Sequence, residues 1–556
     1  MKRKHVQSIL EKIEKQVLHV SDPASAAVIT SLFNLVESLL EQTETQAQQI
    51  QVLKDEINHL KGEQGKPDTR KQSRGKNEES DHSSEGERKK REPKKPRKPG
   101  GTKKSKVSVD RTMDLTLDKE TVPAGGHSNG IITTVVQDIH FGTDNIAFQR
   151  ETYYLAETGH YFIAPLPEGY DAEYGPKIKA FVKAAYSAWN MTLKNITTQL
   201  TCMGIQITKT TVSRMVLNQN DVFHQEKRDV VRAGLQSTSY QHLDDTSGRE
   251  CGQNCYVNVL ANPYYTAYFT VPKKDRLTVI ELLSVDGLSF MLNQQALTLM
   301  EALGLPERYL KEIQPPIAMK RLTRADMDRW LTDLFPNPEK YKRQRKIILE
   351  ACAITGYQSS PTAISQLIVD DAPQFKCITP WLGLCWIHEG RHFKKMIPII
   401  PDHTALLETF REQFWDYYQQ LLDYKGSPSD KGADVLSKRF DELFSQTTGY
   451  EKLDKQITLT LAKKDELLLV LKFPFIPIHN NPAELGTRVQ ARNRDIHLHT
   501  MSEVGTKTKD TLASLSETAN KLAVNFYEYV LDRITLKYKM PSLAEVIKQH
   551  SVVMLR

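Results

Sequence analysis

The stretch that most restricts the fold is LIVDDAPQFKC, residues 367 to 377, where Leu367, Ile368 and Val369 run directly into Asp370 and Asp371. A short apolar run with β-branched residues reads as a buried strand. A carboxylate where such a strand ends lies at the mouth of a sheet, where open α/β folds bind their ligands. Two further segments carry acidic residues in comparable settings. YQHLDDTSGR (240–249) has Asp244 and Asp245 on an earlier strand, and HNNPAELGTRVQARNRD (479–495) has Glu484 among amides and arginines. The reading that unites them brings Asp244, Asp370 and Glu484 together to hold metal ions for phosphodiester chemistry.

At 556 residues the chain is too long for one core, so several domains are expected. Its 39% hydrophobic and 26% charged residues are ordinary for a soluble protein. No apolar stretch approaches the roughly 20 residues of a membrane span. The start, MKRKHVQSILEKIEK, has charge interrupting its apolar residues and is no secretory signal. The expected setting is the bacterial cytoplasm, beside the nucleoid, with no membrane partner. Six cysteines (202, 251, 255, 352, 377, 385) are sparse and read as reduced thiols. Cys251 and Cys255 resemble half of a metal clip, but no second Cys or His pair follows at zinc-site spacing. The net charge of +7 is modest, and where the charge sits matters more.

Residues 1–62 are helical in character. Leu32, Leu35, Val36, Leu39 and Leu40, then Ile50, Leu53, Ile57 and Leu60, repeat at three and four around the polar gap EQTETQAQQ. This predicts a short helical hairpin or coiled coil, packed on its own chain or on a second copy. Residues 63–107 read as a disordered linker that turns basic in RKKREPKKPRKPGGTKKSK (88–106). Lys89, Lys90, Arg91, Lys94, Lys95, Arg97 and Lys98 suit contact with a polyanion through phosphate neutralisation; a solvated spacer is the alternative. Such contacts carry no base information. Residues 108–172 form a small β-rich region, with IITTVVQDIHF (131–141) a strand and YYLAETGHYFIAPLP (153–167) a hairpin around Thr158 and Gly159.

Residues 173–235 are helical, and 192–219 scan as a helix-turn-helix. Gly204 marks the turn and Thr208 caps the second helix, which presents Lys209, Thr210, Thr211 and Arg214 to DNA. An ordinary helical hairpin gives the same pattern. From 238 the alternation predicts three antiparallel strands, near 238–247, 255–263 and 264–272. Residues 276–362 and 402–465 are expected to be mostly helical, flanking the central strand and the segment WLGLCWIHEGRHFKKMIPII (381–400). Residues 501–556 close the chain with helices.

Mg²⁺ prefers oxygen ligands in octahedral geometry, and two such ions about 4 Å apart can serve phosphodiester displacement. That needs carboxylates converging from separate elements, as Asp244, Asp370 and Glu484 would. Asp245 and Asp371 read as caps or turn formers. Buried carboxylates also serve glycoside hydrolysis. The basic tract and Arg488, Arg492 and Arg494 near Glu484 favour a phosphate substrate.

Taken in order, these segments resemble a transposase of the insertion-sequence-66 type, within the DDE class. LDDTSGR resembles its first aspartate strand, and IVDDAPQF its second aspartate segment, with Phe375 at the aromatic position. CWIHEGRHF resembles its Cys-Trp-Ala-His signature at Cys385, Trp386, His388, Arg391 and Phe393. HNNPAELGTR resembles its Asn-Asn-x-x-Glu segment at Asn480, Asn481, Glu484 and Arg488. The closing helices (502–534) also resemble the family's. The resemblance implies a multidomain α+β or α/β protein. Its ribonuclease-H-like catalytic domain (236–500) is a mixed sheet flanked by helices, with helical insertions near 276–362 and 402–465 and a helical, DNA-binding N-terminal part. It further implies that Asp244, Asp370 and Glu484 hold two Mg²⁺ (or Mn²⁺) ions. His388, Arg391, Asn480, Asn481 and Arg488 would support them. Double-stranded DNA, a further copy of the chain and accessory element-encoded proteins would be the partners.

The sequence departs from the family at Gly390 and Leu485, where arginines are usual, so that DNA contacts there are expected to be rerouted. It lacks a Cys/His zinc cluster before residue 200, and 276–362 is longer than usual. Two rivals remain open: a catalytically silent DNA-binding descendant of a transposase, and a ribonuclease-H-like nuclease without strand transfer.

Overall fold

The computed structural model describes residues 22–60, 112–113, 142–158, 160–170, 173–284, 287–313 and 321–554. The basic tract with Lys89, Lys90, Arg91, Lys94, Lys95, Arg97 and Lys98 lies outside the described residues, as does the strand expected at 131–141.

The first described element is α1 (Pro23–Leu60), one helix of 38 residues that runs through the polar gap; residues 1–21 of the expected hairpin or coiled coil lie outside the described residues. The polar gap does not break it because EQTETQAQQ holds neither glycine nor proline, and polar residues propagate a helix readily. Asp22 caps its start by accepting from the Ser25 amide at 2.9 Å. Phe33, Val36 and Leu40 pack against Ile399 and Ile400. Val28, Leu32, Leu35 and Leu39 stay exposed on another face. A small antiparallel hairpin follows, β1 (Thr152–Leu155) and β2 (His160–Ile163), with Thr152 opposite Ile163.

Four helices come next: α2 (Pro176–Ser187), α3 (Leu193–Cys202), α4 (Lys209–Leu217) and α5 (Asp221–Ser237). Gly204 makes the turn between α3 and α4 at φ +88°, a conformation that favours glycine. The Thr208 hydroxyl caps α4 by accepting from the Thr211 amide at 3.2 Å.

The chain then builds a sheet. The strands β3 (Tyr240–Glu250), β4 (Gln253–Ala261) and β5 (Thr266–Val271) form an antiparallel meander. Cys251 and Gly252 join β3 to β4 as a two-residue turn with φ of +48° and +78°, the primed-turn geometry that matches strand twist. All six cysteines are free; Cys251 is exposed in this turn while Cys255 is buried on β4.

Before the sheet resumes, the chain makes α6 (Arg276–Leu283), β6 (Phe290–Met291), α7 (Gln294–Ala302), α8 (Glu307–Glu312), β7 (Arg321–Leu322), α9 (Arg324–Leu334) and α10 (Lys342–Gln358). The paired β6 and β7 were not expected in this helical stretch. Residues 347–357 of α10 are buried throughout, which explains its lack of a polar stripe.

Then β8 (Gln366–Val369) enters parallel to β3, every residue buried as its apolar run requires. A short turn of 3₁₀ helix (Pro373–Phe375) leads to β9 (Trp381–Leu384), parallel to β8. The sequence reading missed β9 as a strand. The order across this central sheet is β5-β4-β3-β8-β9.

After β9 comes α11 (Trp386–Lys394). Its Trp386 is buried among Phe414, Tyr417, Phe440 and Phe444 of α12 (Pro401–Gly426) and α13 (Asp430–Phe444). Next are α14 (Glu451–Leu461), α15 (Lys464–Leu467) and α16 (Leu469–Lys472). The chain closes with α17 (Asn481–His497), which lies on β3 and β4, then α18 (Glu503–Lys521), α19 (Phe526–Ile534) and α20 (Leu543–Met554).

The helix α18 runs along β5. The outward amides of Thr266, Tyr268 and Thr270 donate to Thr518 Oγ1 (3.3 Å), Ser514 Oγ (2.9 Å) and Asp510 Oδ2 (2.6 Å). These three acceptors sit four residues apart on one helix face. The result is a mixed α/β fold with a central mixed sheet flanked by helices. One hydrophobic core runs from Ala180 through the sheet to Ile547. Among the described residues no helix is long and apolar enough to cross a membrane.

Candidate metal and phosphate site

Asp244 lies mid-strand on β3, opposite Val259 of β4. The parallel register pairs His242 with Ile368; β8 ends at Val369, and Asp370 follows it, near enough for its charge to act on Asp244. Glu484 arrives on the first turn of α17, which packs on the same strands. Its approach depends on Gly486: a Cβ there would lie 2.5 Å from Val259 Cγ1.

The three carboxylates feel one another. Burial pushes Asp244 up to about 7, and the charges of Asp370, Asp245 and Glu484 add to the rise. A hydrogen bond from the Asp245 amide at 2.8 Å opposes it. Burial likewise raises Asp370, against the pull of His388. Glu484 Oε2 accepts from Arg391 at 2.6 Å, and its Oε1 has only the Cys385 thiol at 3.9 Å. The Thr487 hydroxyl sits 3.4 Å from Asp244 Oδ2 and donates to the Glu484 carbonyl at 2.8 Å.

Asn480 is the clamp behind this group. Its side-chain amide donates to the Leu243 carbonyl at 2.9 Å, and its Oδ1 meets His242 Nδ1 at 3.0 Å. Its backbone amide donates to Cys385 Sγ at 3.2 Å. One buried residue thus ties β3, the start of α11 and the start of α17 together. Burial pushes His242 down to about 3 and Cys385 up to about 12, so both are neutral fittings. Asn481 begins α17, its amide donating to His479 Nδ1 at 3.4 Å.

His388 is half-buried and lines a cavity of about 330 Å³ with Asp370, Asp371, Ala372, His392, Gln456, Leu459 and Lys463. Burial lowers its basicity while Asp370 opposes the shift. It is therefore beside the carboxylates and not a core residue between Trp386 and Phe393.

Two sequence readings need correction. Asp245 and Asp371 are not caps or turn formers. Asp245 pairs with Lys274 at 2.6 Å and accepts from Gln374 at 3.0 Å. Asp371 pairs with Lys376 at 3.2 Å and Lys463 at 2.9 Å. Burial works against Asp371's charge, but these lysines outweigh it and hold the carboxyl below its usual range. Packing explains the glycine at 390. It faces Trp415, whose Cζ2 would lie 2.7 Å from an added Cβ, so a larger side chain has no room there.

Mg²⁺ or Mn²⁺ can be tested against these donors. Asp370 Oδ1 is buried without a hydrogen-bond partner, and Asp244 is crowded by like charge. A hard cation relieves both conditions. Glu484 has an oxygen to offer while Arg391 keeps the other. Among the described residues no three such side chains stand close enough to form a finished cage. Asp370 Oδ1 and Glu484 Oε1 are the oxygens such an ion would draw on.

Arg488 and Arg492 are exposed on α17, one and two turns beyond Glu484. Arg494 bonds back to Ser247. On α4, Lys209, Thr210 and Arg214 are exposed and Thr211 is half-buried. Lys183, buried beneath, donates to the Val216 and Asn218 carbonyls and fixes the end of α4. The α3–α4 hairpin thus offers an outward polar face, remote in sequence from the carboxylates. Sequence reasoning missed Lys463 and Gln456, which line the cavity from a helical insertion and carry no motif.

The fold is a mixed α/β architecture with acidic residues on and just beyond adjacent strands of its central sheet. No family model matches the chain. It is similar to the uncharacterized protein y4jO of Sinorhizobium fredii, 30% identical over 317 residues, which covers 55% of this chain and 95% of that protein. The chain belongs to the family of that protein.

Proposed function

We propose that the chain is a DDE-type transposase of the insertion-sequence-66 kind with a ribonuclease-H-like core. It would bind the ends of a mobile element, cut there and join them to target DNA. The observation that carries this reading is that Asp370 and Glu484, from two other elements, lie near enough to Asp244 for their charges to act on it, with Asp370 Oδ1 buried and without a hydrogen bond. The sheet order supports it: three antiparallel strands followed by two parallel ones, with the first two carboxylates on and just beyond adjacent strands.

Divalent ions held by these three residues would activate a water or a 3′-hydroxyl and offset charge on the scissile phosphate. The chain's own groups do the rest. Asn480 holds Leu243 and so fixes the position of Asp244. Arg391 keeps Glu484 turned toward the cluster. His388 is near enough to Asp370 to contact a phosphate oxygen there. Arg488 and Arg492 extend a cationic line along α17 for the backbone of the bound strand, and α4 would read the end sequence.

The test is cleavage and joining of labelled DNA carrying the element's own ends, with Mg²⁺, by wild type and Asp370→Asn. Joined product from wild type alone is expected. Cleavage without joining would instead indicate a nuclease. Tight binding by both proteins with cleavage by neither would indicate a DNA-binding remnant.

A further inference from the structure

We infer that Lys463 is a positioning residue that decides which of the adjacent aspartates takes the metal, by occupying Asp371 so that Asp370 is left free. This rests on the proposed reading of Asp370 as a metal ligand.

The Lys463 ammonium lies 2.9 Å from Asp371 Oδ2 and 2.9 Å from Glu389 Oε2. Those carboxylates sit on different elements, the loop after β8 and the body of α11. Glu389 is buried and also accepts from the Thr460 hydroxyl at 2.6 Å and the Gln456 amide at 3.1 Å. Lys463 therefore comes from the far end of the 402–465 insertion and locks α14 and α11 to the end of β8. It sits in the wall of the same cavity as Asp370 and His388. Lys376 takes the other oxygen of Asp371 at 3.2 Å. Asp371 Oδ1 and Asp370 Oδ1 are both buried without a hydrogen bond, but Asp371 has an ammonium group within 3.2 Å of each of its oxygens, and among the described residues none pairs with Asp370. Two ammonium charges make Asp371 the poorer competitor for a cation. The same lock ties the Asp370 backbone to α11, which carries His388 and Arg391.

Simple electrostatics and positioning predict opposite signs. Removing a positive charge beside a cation site strengthens cation binding if charge alone matters. Removing a group that orients a ligand weakens metal binding, typically 10- to 100-fold. The experiment is a Mn²⁺ titration of the full chain followed by electron paramagnetic resonance, with thermal melts alongside. Wild type is compared with Asp370→Asn, Lys463→Met, Lys463→Arg and Asp371→Asn. Asp371→Asn cuts the link while leaving the buried Lys463–Glu389 pair intact, so the fold keeps its compensated charge; because it also removes a negative charge beside the site, the sign is read from Lys463→Met.

The expected result is about tenfold or more weaker Mn²⁺ binding in Lys463→Met and in Asp371→Asn. Lys463→Arg should restore most of it, and Asp371→Asn should melt near wild type. Unchanged or tighter binding in Lys463→Met, in protein that still melts as a folded species, would overturn the inference, as would unchanged or tighter binding in Asp371→Asn. Wild type that binds no Mn²⁺, or binds it undiminished in Asp370→Asn, would overturn the metal reading itself and this inference with it.

Discussion

Gly486 shows how a single missing side chain sets the site. It stands on the first turns of α17, two residues beyond Glu484, where the helix rests on Val259. Helix propensity alone would make Gly486→Ala stabilising by roughly 1 kcal/mol. The added Cβ would meet a short, rigid valine at 2.5 Å, and such overpacking typically costs about 1–3 kcal/mol. The clash should win. A lower melting temperature is expected, along with weaker Mn²⁺ binding as Glu484 is lifted from the sheet; a higher melting temperature would refute the close approach. Asn480 acts at the same scale. The Asn-Asn-x-x-Glu spacing pointed to it, but its bonds to Leu243 and His242 join residues too far apart in sequence to be legible there.

Among elements, α1 is held by polar side chains as much as by packing. Glu37 Oε1 accepts from the amides of Ile399 (2.7 Å) and Ile400 (3.2 Å), and Oε2 faces His403 at 3.4 Å. Asn34 bonds the Gly449 carbonyl and the Glu451 amide. Burial opposes Glu37's charge, but these partners outweigh it and hold its carboxyl below the usual glutamate range. A lowered carboxyl contributes stability that is present above the unfolded value and is lost as pH falls through the folded one. Docking of α1 should therefore loosen below about pH 4.5. Hydrogen exchange of residues 30–40 at pH 7 and pH 4 reads this directly. Glu37→Ala, which strands two amides, should loosen α1 already at pH 7. Equal protection at both pH values would exclude the latch.

Elements differed in how far the sequence betrayed them. The meander from 240 was legible from alternation, and β8 from its apolar run. The strand β9 was not: Trp-Leu-Gly-Leu is four residues with a glycine, and only pairing with β8 makes it a strand. The acidic residues at strand ends were visible as candidates. The lysines that pair Asp245 and Asp371 were not, because no local pattern joins 371 to 463. The packing that calls for glycine at 390 was hidden for the same reason, since its neighbour Trp415 comes from another helix.

For the molecule as a whole, the carboxylates come from stretches more than a hundred residues apart, so the site exists only once the sheet and α17 have closed. The basic tract is a separate matter of bulk electrostatics. Neutralising Lys89, Lys90, Arg91, Lys94 and Lys95 should weaken DNA binding evenly across sequences. If each meets a phosphate, the slope of log affinity against log salt should flatten by about 4.5. An unaltered slope would mean the tract is only a spacer.

The ladder of Asp510, Ser514 and Thr518 has a consequence for assembly. A strand at the rim of a sheet normally presents a row of bare amides that another chain can zip onto. Here the three outward amides of β5 are already spoken for by one helix. A second copy cannot extend the sheet at that rim without first peeling α18 away from the core. The same fastening shields the protein from edge-to-edge fibre growth at that rim.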